Sequence, residues 1–165
     1  MSEQQFRAAP ACYEFSAADS PARWHRCHAI REKELFLPER KIYNRKHAGD
    51  KKDGNRTFAL WTRNRIIGTA RLDLLDSPIV KTAAIRLLAI RRPYQGQGAG
   101  RYLMQTLEEF ARNKDIDLLV LNARLTAVDF YIKLGYVECS WRDPGRLSGS
   151  LSMGKLLTPR IVGGL

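Results

Sequence analysis

Apolar and polar residues first alternate along the chain and then take up a helical spacing. The stretch Tyr13-Glu14-Phe15-Ser16 alternates, which predicts a short strand. A capping residue, Ser20, precedes a proline, Pro21, and this order predicts a helix that begins at Pro21 and continues toward Leu35. Pro38 is expected to stop that helix.

Residues 39–56 are polar and interrupt the pattern, with seven basic residues, three acidic ones and two glycines. We predict a charged loop here that adds nothing to the core. Such a loop is either solvated surface or a lid over a bound substrate, and the sequence leaves both readings open.

Strand-like runs follow on both sides of a second helical stretch. A hairpin is predicted around Asn64, and an unbroken apolar run at 118–121 is typical of a strand buried on both faces. The predicted strands are Thr57 to Thr62, Arg65 to Leu75, Lys81 to Arg91, Leu118 to Leu121, Tyr136 to Trp141 and Leu151 to Leu157.

Two helices are predicted among these strands. The first follows a glycine-rich turn and carries an apolar stripe of Leu103, Leu107, Phe110 and Ala111. Its position between two strands predicts a parallel crossover. The second helix is predicted to start at Thr126, with Asp129 completing a capping box, and to end at Gly135 in a left-handed cap.

The order of elements predicts a mixed α/β domain. An antiparallel first half is followed by one parallel crossover, a further helix and a closing pair of strands. With 165 residues, we expect one domain over 1–165 with its core at about 12–157.

Composition narrows the class of protein. The chain is 44% hydrophobic and 27% charged, as globular proteins are, and it contains no apolar run of the ~18 residues that a membrane span needs. The N-terminus lacks the pattern of a secretory leader. Cys12, Cys27 and Cys139 are far apart, so we expect reduced thiols and a cytoplasmic protein.

A formal net charge of +11 suggests an anionic partner or substrate, but it does not say which. The segment Gln95-Gly96-Gln97-Gly98-Ala99-Gly100-Arg101 is a specific candidate for anion binding. Glycines at the beginning of a helix expose main-chain N–H groups, and these groups bind phosphate. The spacing fits neither a P-loop nor the G-x-G-x-x-G dinucleotide pattern.

Gln95-x-x-Gly98-x-Gly100, placed between a strand and an amphipathic helix, resembles the signature of the GNAT superfamily of acyl-CoA-dependent N-acyltransferases. A second stretch also resembles that family: Leu121-Asn122-Ala123, Ala127 and Phe130-Tyr131-Ile132-Lys133-Leu134-Gly135-Tyr136. The tail Ser152-Met153-Gly154-Lys155-Leu156 is similar to the family's last strand.

The resemblance implies a mostly antiparallel mixed sheet whose single parallel strand pair is splayed apart, with flanking helices. It also implies acetyl-CoA as co-substrate, without a metal. The pyrophosphate would be held by the N–H groups of Gln95, Gly96, Gln97, Gly98, Ala99, Gly100 and Arg101, with added charge from Arg91, Arg92 and Arg101. Main-chain groups of Leu88, Ala89 and Ile90 would contact the pantetheine and acetyl groups.

Two side chains are implied in the chemistry. Tyr131 would be the general acid that protonates the departing sulfur, since a phenol with a pKa of ~10 is protonated at neutral pH. Asn122 would bond the pantetheine arm or a bridging water. Otherwise, Tyr131 is a packed aromatic residue and Asn122 a strand-end turn residue.

No general base is evident. Many relatives carry a glutamate in the segment that is Ala83-Ala84-Ile85-Arg86 here. Asp73 is a candidate acceptor-facing base, although we favour its interpretation as a solvated strand residue. A water relay or an acceptor that is already neutral would serve instead. His25, His28 and His47 show neither metal nor triad spacing.

The expected activity is acetyl transfer to a primary amine by direct attack on the thioester. The amine could belong to a small molecule, a peptide or an aminoacyl-RNA, and homodimers are common in the family. Two alternatives stay open. One is a nucleic-acid-binding module that uses the loop 39–56, and the other is a catalytically silent protein that senses acyl-CoA.

Overall fold

A computed structural model describes residues 12–157. It contains seven strands and three α-helices in the order β1 (Glu14–Ala17), α1 (Pro21–Arg31), β2 (Arg56–Thr62), β3 (Arg65–Leu74), β4 (Thr82–Ile90), α2 (Ala99–Asn113), β5 (Leu118–Arg124), α3 (Val128–Lys133), β6 (Val137–Glu138) and β7 (Ser150–Leu156). None of the described helices is long and apolar enough to cross a bilayer.

The strands form one sheet in the order β1-β2-β3-β4-β5-β7-β6. Only β4 and β5 pair in parallel, and the other described pairs are antiparallel. The mixed, mostly antiparallel sheet with one parallel crossover through α2 confirms the predicted fold class.

Helices α1 and α2 pack on opposite faces of the sheet. Neighbouring strand residues point to opposite faces, and Phe58 and Leu60 belong to the α2 cluster while Ala59 belongs to the α1 cluster. Leu103, Leu107 and Ala111 of the predicted apolar stripe of α2 are buried, and Phe110 is half-buried against the same cluster, which confirms the helical spacing seen in the sequence. Its core residues are Leu103, Met104, Leu107 and Ala111.

The beginning of α1 follows the prediction, but its end does not. The Ser20 hydroxyl accepts a hydrogen bond from the N–H of Arg23 at 3.4 Å, as a capping residue does. The α-helix ends at Arg31, and the chain continues as a π-helical turn over Glu32–Phe36 and a 3-10 turn over Leu37–Glu39. Pro38 therefore lies inside the 3-10 turn.

Two further expectations are corrected near the C-terminal end. Thr126 is not a helix cap, because it lies within a 3-10 turn that places Ala127 ahead of α3. The strand predicted over Tyr136 to Trp141 shortens to Val137–Glu138. Its continuation leaves the sheet edge because Asp143 is bound by Arg86 and Asn122. Gly135 takes the predicted left-handed conformation, with φ of 91°.

Candidate active site

The parallel strands β4 and β5 separate halfway along the sheet. They pair from Thr82 with Leu118 to Ile85 with Leu121, and pairing ends there. On its other side, β4 stays paired with β3 as far as Ile90. The splayed strand pair implied by the sequence resemblance is therefore present.

A β-bulge in β4 marks the point of separation. Thr69 pairs with Ala89 while Arg71 pairs with Arg86, so β4 has one more residue than β3 in this interval. Leu87, inside the bulge, has a φ of 53°, which is unusual for a leucine. The extra residue turns β4 away from β5. The sequence of β4 contains no glycine or proline that would have indicated this bulge.

A cavity of about 1050 Å³ opens in front of the splayed strands. Its floor is formed by residues of β4 and β5, and its walls come from the loop 39–56 and from residues 143–150. Among the predicted site residues, those that line it are Asp73, Leu88, Asn122 and Tyr131. Ala89 and Ile90 are instead buried and paired with β3.

Tyr131 lies in α3 at the edge of this cavity and is 8% exposed. Its ring meets those of Phe130 and Tyr136 edge to face, which fixes its orientation. Within residues 12–157, its hydroxyl has no hydrogen-bond partner. Burial raises the pKa of Tyr131 to about 12, so the phenol is protonated across the physiological range.

Both ends of the Asn122 amide are bound by protein groups. Its Nδ2 donates to Asp143 Oδ2 at 2.8 Å, and its Oδ1 accepts from Ser152 Oγ at 2.9 Å. The amide is thus held in one orientation at the point where β5 leaves β4.

A chain of alternating charges runs beneath the cavity. Asp50 bridges Arg31 and Arg71, Asp73 bridges Arg71 and Arg86, and Asp143 accepts from Arg86. All the nitrogen–oxygen distances in this chain are between 2.6 and 3.0 Å. Arg31, at one end, is fully buried and also donates to Thr57 Oγ1 at 2.8 Å.

This chain corrects two expectations. Asp73 is buried and ion-paired, not a solvated strand residue, because its neighbours Arg71 and Arg86 enclose it. The loop 39–56 is not purely a surface segment either. Its Asp50 side chain is 7% exposed and binds two arginines that face the interior of the protein.

Sequence reasoning missed Asp143, whose side chain is 4% exposed and contacts both Arg86 and Asn122. Burial would raise the pKa of its carboxyl, but hydrogen bonds from Arg86 and from the Gly145 N–H hold that pKa below its usual value. Arg86 lies 57 residues away along the chain, so no local pattern indicates the pair. The only local signal is Pro144-Gly145, which marks a turn.

The glycine turn lies at the end of β4 and leads into α2. Gly96 and Gly98 have φ of 71° and 89°, and a Cβ on either would meet nothing within 4 Å. The amides of Ala99, Gly100 and Arg101 precede the Tyr102-to-Gly98 hydrogen bond that begins the helical ladder. The turn therefore presents main-chain donors to open space, at the positive end of a 15-residue helix.

The turn is held close to its surroundings. Gln95 Nε2 donates to the Ile90 carbonyl at 2.7 Å, which ties the turn to the end of β4. A Cβ on Gly100 would lie 3.2 Å from Phe130, so Phe130 separates the turn from the cavity that it lines. The turn and the cavity are thus neighbours in the structure.

Residues 10–136 match the acetyltransferase (GNAT) family. The chain belongs to that family. It is 30% identical over 77 residues to the uncharacterized protein YyaT of Bacillus subtilis (strain 168), a match that covers 47% of this chain and 49% of that protein. The chain thus spans about half the length of this curated relative.

Solved structures share the fold. The ribosomal-protein-S18-alanine N-acetyltransferase from Escherichia coli is similar over 93% of this chain and 99% of that one, with a TM-score of 0.72 and 17% identity. An aminoglycoside 6'-N-acetyltransferase complexed with coenzyme A is similar over 89% and 98%, with a TM-score of 0.71 and 14% identity. At these identities, the likeness shows a common fold.

Proposed function

We propose that this protein transfers an acetyl group from acetyl-CoA to a primary amine. One observation carries the proposal: the gap between β4 and β5 opens into a cavity lined by Tyr131, whose hydroxyl has no hydrogen-bond partner within residues 12–157. Membership of the acetyltransferase (GNAT) family indicates that the reaction is an acyl transfer. The geometry of the gap and the cavity suggests how the co-substrate and the acceptor approach each other.

The glycine turn is the proposed binding site for the pyrophosphate. The proposed donors are the main-chain N–H groups from Gly96 to Arg101, because the N–H of Gln95 already donates to the Arg92 carbonyl at 3.2 Å. The exposed Arg101 adds a cation. The pantetheine arm would then lie in the gap beyond Ile85 and Leu121, where no described strand pairs with the facing edges of β4 and β5. A solved relative of this fold holds coenzyme A, which supports the choice of carrier.

The thioester would lie beside the bulge of β4. We propose that main-chain groups of Leu88, Ala89 and Ile90 contact the pantetheine and acetyl groups, because this stretch borders the gap. An N–H group there would stabilise the oxyanion that forms when the amine attacks, an effect worth about 3 kcal/mol in other acyl-transfer enzymes. The side chains at these positions serve packing.

Tyr131 would act as a hydrogen-bond donor and general acid toward the departing sulfur. Its pKa of about 12 lies above the ~8.5 of a thiol, so the phenol first stabilises the leaving sulfur by donating a hydrogen bond. In the overall reaction, the carbon–sulfur bond breaks, a carbon–nitrogen bond forms, and one proton passes from the amine nitrogen to the sulfur. Asn122, held by Asp143 and Ser152, would orient the pantetheine arm or a bridging water.

The carboxylates that line the cavity are Glu39, Asp50, Asp73 and Asp143, and each is ion-paired with an arginine. Within residues 12–157, no cavity carboxylate is thus free to act as a base. We therefore propose that the acceptor amine arrives neutral or loses its proton to water, and that Asp73 helps to shape the acceptor side of the cavity.

The proposed acceptor class is a primary amine. The relatives with this fold act on an alanine of a ribosomal protein and on an aminoglycoside, according to their names. Both substrates carry amino groups, although one is a protein and the other is an aminoglycoside.

Thiol release tests the proposal. The protein is incubated with acetyl-CoA and a panel of amino acids, peptides, polyamines and aminoglycosides, and free thiol is measured with a chromogenic disulfide. We expect thiol release that depends on one class of amine, with the acetylated product found by mass spectrometry. Tight acetyl-CoA binding without thiol release from any amine would instead identify a sensor of acyl-CoA.

A further inference from the structure

A second concave surface lies outside the proposed active site, between α1 and the β2–β3 hairpin. It has a volume of about 570 Å³, and we call it the basic groove. The π-helical turn after α1 separates the two surfaces, because Lys33 and Glu34 line the groove while Leu35 and Phe36 line the cavity. The residues that line the groove are Ala22, Arg23, Arg26, Ala29, Ile30, Lys33, Glu34, Trp61, Asn64, Arg65, Ile66 and Arg91.

The groove contains five cations and one carboxylate. Arg23 is already bound, since it pairs with Asp19 at 2.7 Å and lies over the Trp61 ring at 5.4 Å. Within residues 12–157, the side chains of Arg26, Lys33 and Arg65 have neither an ion-pair nor a hydrogen-bond partner. In the same range, the Arg91 guanidinium lies 5.9 Å from the centre of the Tyr94 ring and has no ion-pair partner. Four cations without a carboxylate partner therefore converge on one groove.

The cavity of the proposed active site differs in this respect. There, Arg31, Arg71 and Arg86 are matched by Asp50, Asp73 and Asp143 in one continuous chain of ion pairs. In the loop 39–56, Lys41 pairs with Glu39, and Arg45 pairs with Glu32. The groove therefore carries a larger share of the positive charge behind the net charge of +11 than the cavity does.

We infer that the basic groove binds the phosphate backbone of a nucleic acid strand. Arg26 and Lys33 are seven residues apart on one side of the helical segment, which separates them by roughly 10 Å. Arg65 and Arg91 come from two other elements. A single phosphate cannot contact groups so widely placed, whereas a strand carries a charge on every nucleotide and can contact them in succession.

The chemistry of the lining favours phosphates over an acidic peptide. The apolar floor residues Ile30 and Ile66 are buried, and Arg23 covers one face of Trp61, so the groove offers a ligand its cationic side chains more than an apolar anchoring site. Guanidinium groups contact phosphate oxygens in pairs, and they do so without reading the bases. The site is therefore expected to bind strands with little sequence preference.

Fluorescence anisotropy with a labelled oligouridylate tests this inference, in the absence of acetyl-CoA and over a range of KCl concentrations. We expect a binding constant whose logarithm falls linearly with the logarithm of the salt concentration. The double variant Arg26→Gln/Arg65→Gln should bind more weakly and should lower the salt slope by ~1.4, at ~0.7 for each phosphate that is no longer neutralised. Both side chains are exposed, so the melting temperature should stay unchanged.

The matched control is Lys46→Gln/Lys51→Gln, which removes the same charge from exposed positions of the loop 39–56. This control should keep the salt slope of the unchanged protein. An equal loss of affinity in both variants would show that binding follows net charge, and the inference would be overturned. Displacement of the RNA by coenzyme A, or equally well by polyglutamate, would also overturn it, as would a lack of binding at low salt.

Discussion

Gly49 lies against the guanidinium group of Arg71. A Cβ at position 49 would be 2.8 Å from Arg71 Nη2 and 2.9 Å from Nη1. The guanidinium cannot easily move away, because Asp73 binds its Nε and Nη2, and Asp50 binds its Nη1. The loop 39–56 can therefore approach β3 only because residue 49 has no side chain.

Gly49→Ala should therefore destabilise the protein. The added methyl group must displace either the loop or the pinned arginine, and overpacking of this kind costs ~1–3 kcal/mol. Urea denaturation gives the free energy of unfolding. The control is Gly145→Ala, where the Cβ would lie 3.6 Å from its nearest neighbour, Asp143 Oδ1. Equal stability of the two variants would show that the loop accommodates the methyl group.

Tyr131→Phe should lower kcat while leaving acetyl-CoA affinity close to that of the unchanged protein. The substitution removes the proposed donor to the departing sulfur but keeps the ring that packs against Phe130 and Tyr136. Since the pKa of Tyr131 is about 12, its ionisation should produce no step in kcat between pH ~6 and ~9. Steady-state kinetics and calorimetric titration with acetyl-CoA measure the two effects. A variant with full turnover would rule out the proposed role.

Gly98→Ala should weaken coenzyme A binding. A left-handed conformation costs an ordinary residue ~1–2 kcal/mol, and the methyl group would project into the space proposed for the phosphates. Gly149→Ala is the matched control, because Gly149 also has a positive φ and an open surrounding, but lies far along the chain in the cavity wall. Both variants should lose similar stability, and only Gly98→Ala should raise the Kd for coenzyme A.

Stability should fall as the pH is lowered from about 7 to about 5. Burial, reinforced by the nearby charge of Arg31, lowers the pKa of His28 below its ordinary value of ~6.5. The unfolded chain therefore binds a proton at a higher pH than the folded protein does, and protonation below ~6.5 favours unfolding.

His28→Gln should remove this step. Glutamine still offers an oxygen to Tyr43, whose hydroxyl lies 2.7 Å from His28 Nδ1. Melting temperatures between pH ~7.5 and ~5 give the comparison, and the exposed His25→Gln serves as control. If His28→Gln shows the same pH profile as the unchanged protein, another group is responsible for the loss of stability.

Local patterns in the sequence predicted the elements that depend on local forces. The alternating stretch at β1, the apolar stripe of α2 and the left-handed Gly135 follow from side-chain periodicity and backbone preference. The splayed strand pair came from the family resemblance, since nothing in the periodicity of β4 indicates where its pairing with β5 ends.

The charged chain under the cavity could not be predicted in this way. Asp50 and Asp143 come from polar loops that have the composition of solvated surface, yet they are bound by arginines 21 and 57 residues away. Ion pairs over such separations have no periodic signature. The same contacts explain why β6 is shorter than its apolar pattern suggested, since Asp143 draws the chain from the sheet edge to Asn122.

The short parallel ladder between β4 and β5 has a mechanical consequence. Within residues 12–157 this ladder has four residue pairs, so it resists shear less than the longer antiparallel ladders beside it. A molecule that binds in the gap and forms hydrogen bonds with both strand edges would bridge β4 and β5 where their own pairing has ended. Occupancy would then stiffen the whole sheet, and amide hydrogen exchange in β3 and β7 would slow even at residues that do not line the cavity.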